Sequence, residues 1–497
     1  MDYLTLALLI SFVVGSLISI FGIRNSNFSK YPPGPSPFPI IGNILELGTQ
    51  PHHSLTNLSK TYGPIMTLKL GNRTTIVISS AQVAREVLQK NDQVFSSRTI
   101  PNAGRAHDHH ILSMVWMPPS AQWRVLRRVC ATKVFSSQKL DSTQTIRQRK
   151  VQELVNHVGE CCKKGEALDI GEAVFTTVLN SISNTFFSMD LGHYGSDKAQ
   201  EFKHIILGIM EEAGRPNVVD FFPILGLLDP QCVRARLNTY FEKLISFFDG
   251  LIDERLRLRA SEMESKGCND VLDSLIQVMM EENSQVSRSH LLHLFLDLFV
   301  AGIDTTSSTV EWAMAELLCN PEKLDKVRQE LQLALNKGEE FDESHILKLP
   351  FLKAVVKETL RLHPPAPFLI PRKSEEDVEL CGFVVPKNAQ ILINVWAMGR
   401  DSSVWENPNQ FMPERFLESE IDFKGHDFEL IPFGAGRRIC PGLPLANRTV
   451  HLTLASILHC YDWKLPNGLE PEDMDMSERF GITLQKALPL QAIPIKN

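Results

Sequence analysis

The sequence predicts a mainly α fold with a minor β part, preceded by one N-terminal transmembrane helix. Three observations carry this expectation. Segments with apolar residues at helical spacing dominate the body of the chain. Alternating, β-branched stretches appear near the start of the body and return late in it. The first segment, Tyr3 to Ile23, reads YLTLALLISFVVGSLISIFGI and carries no charge.

Composition narrows the class. Hydrophobic residues make up 43 % of the 497 and charged residues 22 %, which is ordinary for a globular protein. A net charge of -7 argues against a nucleic-acid binder, so no nucleic-acid partner is expected. The nine cysteines are scattered and form no Cys-x-x-Cys pair. That argues against a disulfide framework and a structural zinc site, and fits a reducing compartment. No internal repeat, low-complexity tract or composition break marks a second catalytic domain.

At about 1.5 Å per residue, the uncharged first segment would span roughly 30 Å, the hydrocarbon thickness of a bilayer. A cleaved signal peptide would need a basic start, a shorter apolar run and a small-residue cleavage site, whereas this chain begins Met1-Asp2 and has no Ala-x-Ala site. Arg24 and Lys30 follow the apolar run and place the body on the cytosolic side. The next stretch, YPPGPSPFP, holds five prolines and reads as a stiff, extended hinge. The expected organisation is an anchor over 1–30, a hinge over 31–39 and a single body over 40–497.

Within the body, TLKLGNRTTIVISS reads as a hairpin turning at Gly71-Asn72. AQVAREVLQK and YFEKLISFFDGLIDERLRLRA read as amphipathic helices. SHLLHLFLDLFVAGIDTTSSTVEWAMAELLC is the longest helical pattern, apolar on nearly all sides, and is expected at the centre of the body. It should stop at Asn320, which can cap a following helix that has Pro321 at its first position. PFLKAVVKETLRLH is a further helix, ended by Pro364 and Pro365, and strand-like pieces return at VELCGFVVP and AQILINVW.

The stretch PFGAGRRICPG surrounds a single thiol, Cys440, with glycines, prolines and two arginines. A thiolate held beside a metal needs positive charge and backbone N–H donors. Glycine lets the backbone approach a flat ligand, Arg438 could pair with a carboxylate of that ligand, and a helix starting just after Cys440, in LPLANRTVHLTLASILHC, would add its N-terminal dipole. This suits a thiolate axial ligand to haem iron. The plainer alternative is a buried, inert cysteine.

The pattern Phe433-x-x-Gly436-x-Arg438-x-Cys440-x-Gly442 resembles the cytochrome P450 cysteine loop, and three further motifs of that family occur in the expected order. They are AGIDTT from Ala301 to Thr306, the Glu-x-x-Arg of Glu358 and Arg361, and FMPERF with Arg415. The anchor and hinge are similar to those of eukaryotic microsomal members. The resemblance spans nearly the whole chain. It implies the cytochrome P450 fold, with haem b between the long central helix and the cysteine loop.

It also implies roles. Cys440 would be the axial iron ligand. Thr305 and Asp304, beside the small Ala301 and Gly302, would feed protons toward bound O₂. A Thr-rich helix stretch bonding its own carbonyls is the plainer reading. Trp123, Arg127, Arg372 and Arg438 would contact the haem propionates, with Ala301 and Phe433 against the cofactor. Glu358, Arg361 and Arg415 would form a buried network holding the cysteine loop. Arg124, Arg128 and Lys133 form either a solvated face or a patch for an acidic electron donor. The run HDHH, His107 to His110, lacks zinc-site spacing and falls in the family's loop over the distal pocket.

The implied activity is an O₂-dependent monooxygenase taking electrons from NADPH through a separate NADPH-cytochrome P450 reductase, anchored in the endoplasmic reticulum membrane. The alternatives are a haem-thiolate isomerase or lyase acting on a peroxide, a non-enzymatic haem sensor, or a monooxygenase of phenolic or alkaloid substrates. EEAGRPNVVDFFPIL, PFLIPRK and ERFGITLQKA resemble the plant geraniol 8-hydroxylase subgroup. A small apolar substrate follows, a geraniol-like monoterpene alcohol or an abietane-type diterpene. Leu298, Phe368, Leu369, Ile370 and Ile482 are expected as its apolar walls. Asp297 is either the polar group in that pocket or the partner of a distal-loop cation such as Arg105.

Overall fold

The longest described helix carries the apolar pattern that the sequence placed at the centre. In a computed structural model of the chain, residues 30–261, 270–335 and 341–496 are described. The anchor expected over 1–30 lies outside them except for its last residue, and no described helix is long and apolar enough to cross a membrane. The proline-rich segment is extended without helix and is held along the edge of the sheet, where the Thr67 amide donates to the Pro33 carbonyl at 2.8 Å.

The first α-helix among the described residues, α1 (Pro51–Tyr62), leads into the expected hairpin, β1 (Ile65–Leu70) and β2 (Arg73–Ile78), paired from Ile65↔Ile78 to Leu70↔Arg73. A short strand β3 (Ser97–Arg98) leads into the distal loop and then α2 (Ala121–Val129), α3 (Gln144–Lys164), α4 (Ile170–Phe187), α5 (Asp197–Gly214) and α6 (Val233–Ala260). The central helix α7 runs Arg288–Cys319, and its Ser287 cap accepts from the His290 amide. α8 (Pro350–Leu362), β4 (Arg372–Lys373), β5 (Gln390–Ile393), α9 (Leu443–Cys460), and the hairpin of β6 (Glu478–Arg479) and β7 (Gln485–Lys486) complete the frame.

α7 packs against α4, α6, α8 and α9, so nearly every side chain on it is buried. That is why its sequence is apolar all round rather than striped. The main sheet has the order β1-β2-β5-β4-β3, with β2 and β5 parallel. One expectation fails locally. Asn320 precedes a helix with Pro321 first, but its amide donates back to the Glu316 carbonyl at 2.8 Å instead of capping forward. Thus Asn320 satisfies an orphan carbonyl at the end of α7 and does not supply an acceptor to the next helix.

Candidate active site

One internal cavity of about 360 Å³ lies between α7 and the cysteine loop, lined by Cys440, Phe433, Ala301, Gly302, Thr305 and four arginines. The cysteine loop reaches it by a tight turn. Gly436 sits at φ +67°, and a Cβ there would fall 2.1 Å from the Leu88 carbonyl oxygen. This glycine therefore serves a backbone-to-backbone approach within the protein, not an approach to the ligand. The Cys440 amide donates to the Phe433 carbonyl at 2.9 Å, and the amides of Gly442 and Leu443, at the start of α9, face the sulfur. Cys440 is closed off from bulk solvent and opens on the cavity. Burial raises its pKa, while those amides and the nearby Arg127 pull it down. A metal at the sulfur would complete what these donors begin.

The four arginines are Arg98, Arg127, Arg372 and Arg438. No described carboxylate pairs with any of them. Burial pushes Arg372 down to about 10 and Arg438 down to about 9, and repulsion from Arg372 and then Arg127 adds to the shift of Arg438. Arg98 is depressed as well, by burial and by the other three cations. The buried Nε of Arg372 has no hydrogen-bond partner. Four clustered cations with no anion of their own fit a group carrying two carboxylates, so the residues present fit haem.

Arg98 was not among the sequence candidates. Its signal was weak: one cation in the short stretch QVFSSRTI. The register Arg98↔Arg372 in the β3–β4 pair brings it to the site. The expected contacts of Trp123 and Arg438 are partly redirected. The Trp123 indole donates to the Met114 carbonyl at 3.1 Å, and Arg438 donates to the carbonyls of Ser96, Met114 and Met117. Arg438 also lies over the Trp123 ring, 4.5 Å from its centre.

On α7, Asp297, Leu298, Ala301, Gly302 and Thr305 all face the cavity, as their spacing predicts. A Cβ at Gly302 would lie 3.0 Å from Ile182 Cδ1, a tight contact with the end of a flexible side chain. The Thr305 hydroxyl donates to the Ala301 carbonyl at 2.7 Å, as the plainer reading of this threonine has it, and Thr305 lines the cavity. Asp304 departs from expectation. One residue before Thr305, it is 2 % exposed and does not line the cavity. Its carboxylate accepts from Thr483 at 2.6 Å and Gln485 at 2.5 Å, with no bond to Thr305.

Asp297 does not pair with Arg105, which is exposed. It accepts from the Ser113 hydroxyl at 2.7 Å and the Met114 amide at 2.8 Å, and faces His109 Nε2 at 3.1 Å. His109 in turn meets His293, Nδ1 to Nδ1, at 2.8 Å. Of the HDHH run, only His109 is buried, and it ties the distal loop to α7. Leu369, Ile370 and Ile482 line the cavity as expected, but Phe368 does not. Its ring packs under β1 and β2 with Leu55 and Met66, because Leu369 takes a left-handed turn at φ +52° that sends the next side chains the other way.

Away from the cavity, Glu358 and Arg361 form a bidentate pair, with both contacts at 2.7 Å, and Arg415 adds a third contact at 3.1 Å. Arg361 also donates to the carbonyls of Gly399, Pro408 and Gln410. The triad thus grips the irregular stretch ahead of the cysteine loop, not the loop itself.

The cytochrome P450 family model matches residues 32–491. The chain is 53 % identical to geraniol 8-hydroxylase of Catharanthus roseus over 99 % of each chain. It is 46 % identical to drimenol monooxygenase of Persicaria hydropiper, over 99 % of this chain and 97 % of that one. A zebrafish cytochrome P450 solved with progesterone has the same fold, with a TM-score of 0.76 at 27 % identity, covering 90 % of this chain and 99 % of the other. With a cysteine loop, an arginine cluster and a small-residue gap on the central helix arranged for haem, this chain belongs to the cytochrome P450 family and is a haem-dependent monooxygenase.

Proposed function

We propose that this enzyme hydroxylates a terpenoid with an apolar skeleton and one hydroxyl group, a geraniol-like monoterpene alcohol first and an abietane-type diterpene second. The carrying observation is the distal wall. Beyond the arginines the cavity is bounded by Ile182, Ile209, Phe241, Leu298, Ile370 and Ile482. Asp297, the acidic group on that wall, already has its oxygens committed to Ser113, Met114 and His109. Hydroxyls such as those of Ser181 and Thr306 are left for polar contact. A site of this kind favours an apolar ligand with one or two polar atoms over a charged metabolite. The named activities of the geraniol 8-hydroxylase and drimenol monooxygenase relatives support the same class.

Haem, when bound, supplies the O₂ activation and the oxidising power. Cys440 would hold its iron, and Arg98, Arg127, Arg372 and Arg438 would neutralise its carboxylates. Thr305 presents a hydroxyl to the distal side. Electrons come from NADPH through NADPH-cytochrome P450 reductase. The enzyme is held at the endoplasmic reticulum membrane by the anchor over 1–30, with the body over 40–497 in the cytosol. Supporting that placement, Phe38, Ile40 and Leu45 expose apolar surface beside the β1–β2 turn, and Ile224, Leu227 and Leu228 do so in the segment joined to that turn through the Asn72–Phe221 bond.

Titration of the ferric enzyme with ligands, followed by the Soret shift, tests the substrate class. Turnover with reductase and NADPH then identifies the product. Monoterpene alcohols should shift the spectrum at micromolar concentrations. A shift given only by phenolic amines or fatty acids would overturn the terpenoid reading.

A further inference from the structure

The acid on the central helix reaches the cavity through a residue outside that helix. Asp304 is buried and does not line the cavity, whereas Thr483 does. The Thr483 hydroxyl is the one side-chain hydroxyl bonded to the Asp304 carboxylate among the described residues, at 2.6 Å. The other carboxylate oxygen is held by the Gln485 amide at 2.5 Å, and Gln485 in turn accepts from Arg479, its cross-strand neighbour at the surface. The segment 483–485 is fixed to α7 independently of that hydroxyl. The Leu484 carbonyl accepts from Ser308 and from the Trp312 indole, both at 3.4 Å, and the Leu484 amide donates to the Pro365 carbonyl at 2.8 Å. Asp304, Ser308 and Trp312 stand four residues apart, so one face of α7 docks this segment.

We propose that Thr483 is the hydroxyl through which Asp304 passes a proton into the distal cavity, with Gln485 and Arg479 as positioning residues for the carboxylate. With the carboxylate ionised, Thr483 donates to it. When Asp304 is protonated the bond reverses: the acid O–H donates to Thr483 Oγ, and the freed hydroxyl hydrogen turns to an acceptor in the cavity. Transfer then breaks the Thr483 O–H bond and forms one on that acceptor. The Asp304 proton moves to Thr483, and solvent restores it on Asp304. Thr305 cannot make this contact, because its hydroxyl donates to Ala301 and no bond joins it to Asp304. Burial raises the Asp304 pKa, while the bonds from Thr483 and Gln485 lower it.

The inference deepens the monooxygenase reading and rests on it. The test compares the haem-loaded parent with Thr483→Val, Thr483→Ser, Asp304→Asn and the Thr483→Val/Asp304→Asn double variant. Thr483→Val should leave haem content and the Soret-shift dissociation constant for geraniol within about twofold, yet cut product formed per NADPH about tenfold, with hydrogen peroxide released instead. Thr483→Ser should restore coupling, and the double variant should be no worse than Asp304→Asn. A second readout needs no turnover. The infrared carboxyl band of Asp304 in the resting protein, assigned by its loss in Asp304→Asn, should shift in Thr483→Val and titrate at higher pH.

A Thr483→Val enzyme coupled like the parent, additive losses in the double variant, or an unmoved carboxyl band would each overturn the inference. So would weakened geraniol binding that Thr483→Ser fails to correct, since Thr483 would then only shape the pocket. A parent that consumes no NADPH with its reductase would instead count against the monooxygenase reading, and the infrared comparison would still decide the Thr483–Asp304 link.

Discussion

Arg98 and Arg372 are cross-strand partners in the β3–β4 pair, two buried guanidinium groups of like charge directly opposite one another. Such a pair weakens a sheet unless an anion lies between or beside the two cations. Each has carbonyl contacts, Arg98 to Val115 and Ile370 and Arg372 to Phe95 and Ala435, but none of these carries a full negative charge. The Arg98→Leu variant should therefore lose haem to an apomyoglobin acceptor faster than the parent, by about tenfold for a charge-assisted bond worth about 1.5 kcal/mol. An unchanged transfer rate would mean that Arg98 only braces the distal loop.

Glu358 is the shared acceptor of Arg361 and Arg415 and also takes the Met412 amide at 2.7 Å. Glu358 and Arg361 are 0 % and 1 % exposed. Glu358→Gln leaves a buried guanidinium without its charge partner, and equilibrium urea unfolding should show a loss of about 3–5 kcal/mol. A loss below about 1 kcal/mol would show that the carbonyls of Gly399, Pro408 and Gln410 suffice to hold Arg361.

Much of this site was legible because its chemistry is local in sequence. The cysteine loop, the helix after it, the Ala301–Thr305 face and the Glu358–Arg361 pair each lie within a few residues, where helical spacing or turn chemistry decides the geometry. The partners that escaped notice are those brought in by long connections. Arg98 depends on a two-residue strand pair with Arg372. His109 finds Asp297 across 188 residues of chain, and Thr483 finds Asp304 across 179. Phe368 was misplaced for a related reason: a left-handed turn at Leu369 reverses which side chains face the cavity, and a non-glycine residue gives little warning of that. Asp304 was expected beside the cavity gap but does not line it, since adjacent helical residues point about 100° apart.

Glu478 collects contacts from three separate elements. His52 and His53 at the start of α1 approach its Oε2 at 2.8 Å and 3.2 Å, and the Trp396 indole donates to Oε1 at 3.3 Å. His52, His53 and Glu478 together could also be read as a metal site. However, the buried Nδ1 of His52 has no partner, so a metal on Nε2 would strand an N–H there. Although burial opposes it, His363 at 3.6 Å, the hydrogen bond with His52 and the charge of Arg400 hold Glu478 well below the usual carboxylate range. A depressed carboxylate stabilises the fold above its unfolded pKa and loses that contribution as pH falls. Burial lowers His52 as well, so protonation of the unfolded histidine favours unfolding in the same direction. Thermal stability should fall as pH drops through about 6.5 and again below about 4.5. In Glu478→Gln the second decline should flatten. Parallel melting curves for parent and variant from pH 7 to pH 4 would count against this assignment.

Leu227 is 99 % exposed and Ile224 87 %, and they lie in a segment that reaches the β1–β2 turn, next to exposed Phe38 and Ile40. Isolated exposed apolar residues are common, but a cluster formed by two separate chain segments marks an attachment surface. Each such side chain entering a lipid interface contributes about 1.5–3 kcal/mol when fully buried. Two or three are enough for reversible binding. A chain lacking residues 1–29 should therefore still co-sediment with phosphatidylcholine vesicles, and should do so as well in high salt as in low, because apolar burial is not screened. Ile224→Asp with Leu227→Asp should release it to the supernatant without changing the haem spectrum. If the truncated parent is already fully in the supernatant, the first segment alone holds the enzyme at the membrane and the exposed cluster has another partner.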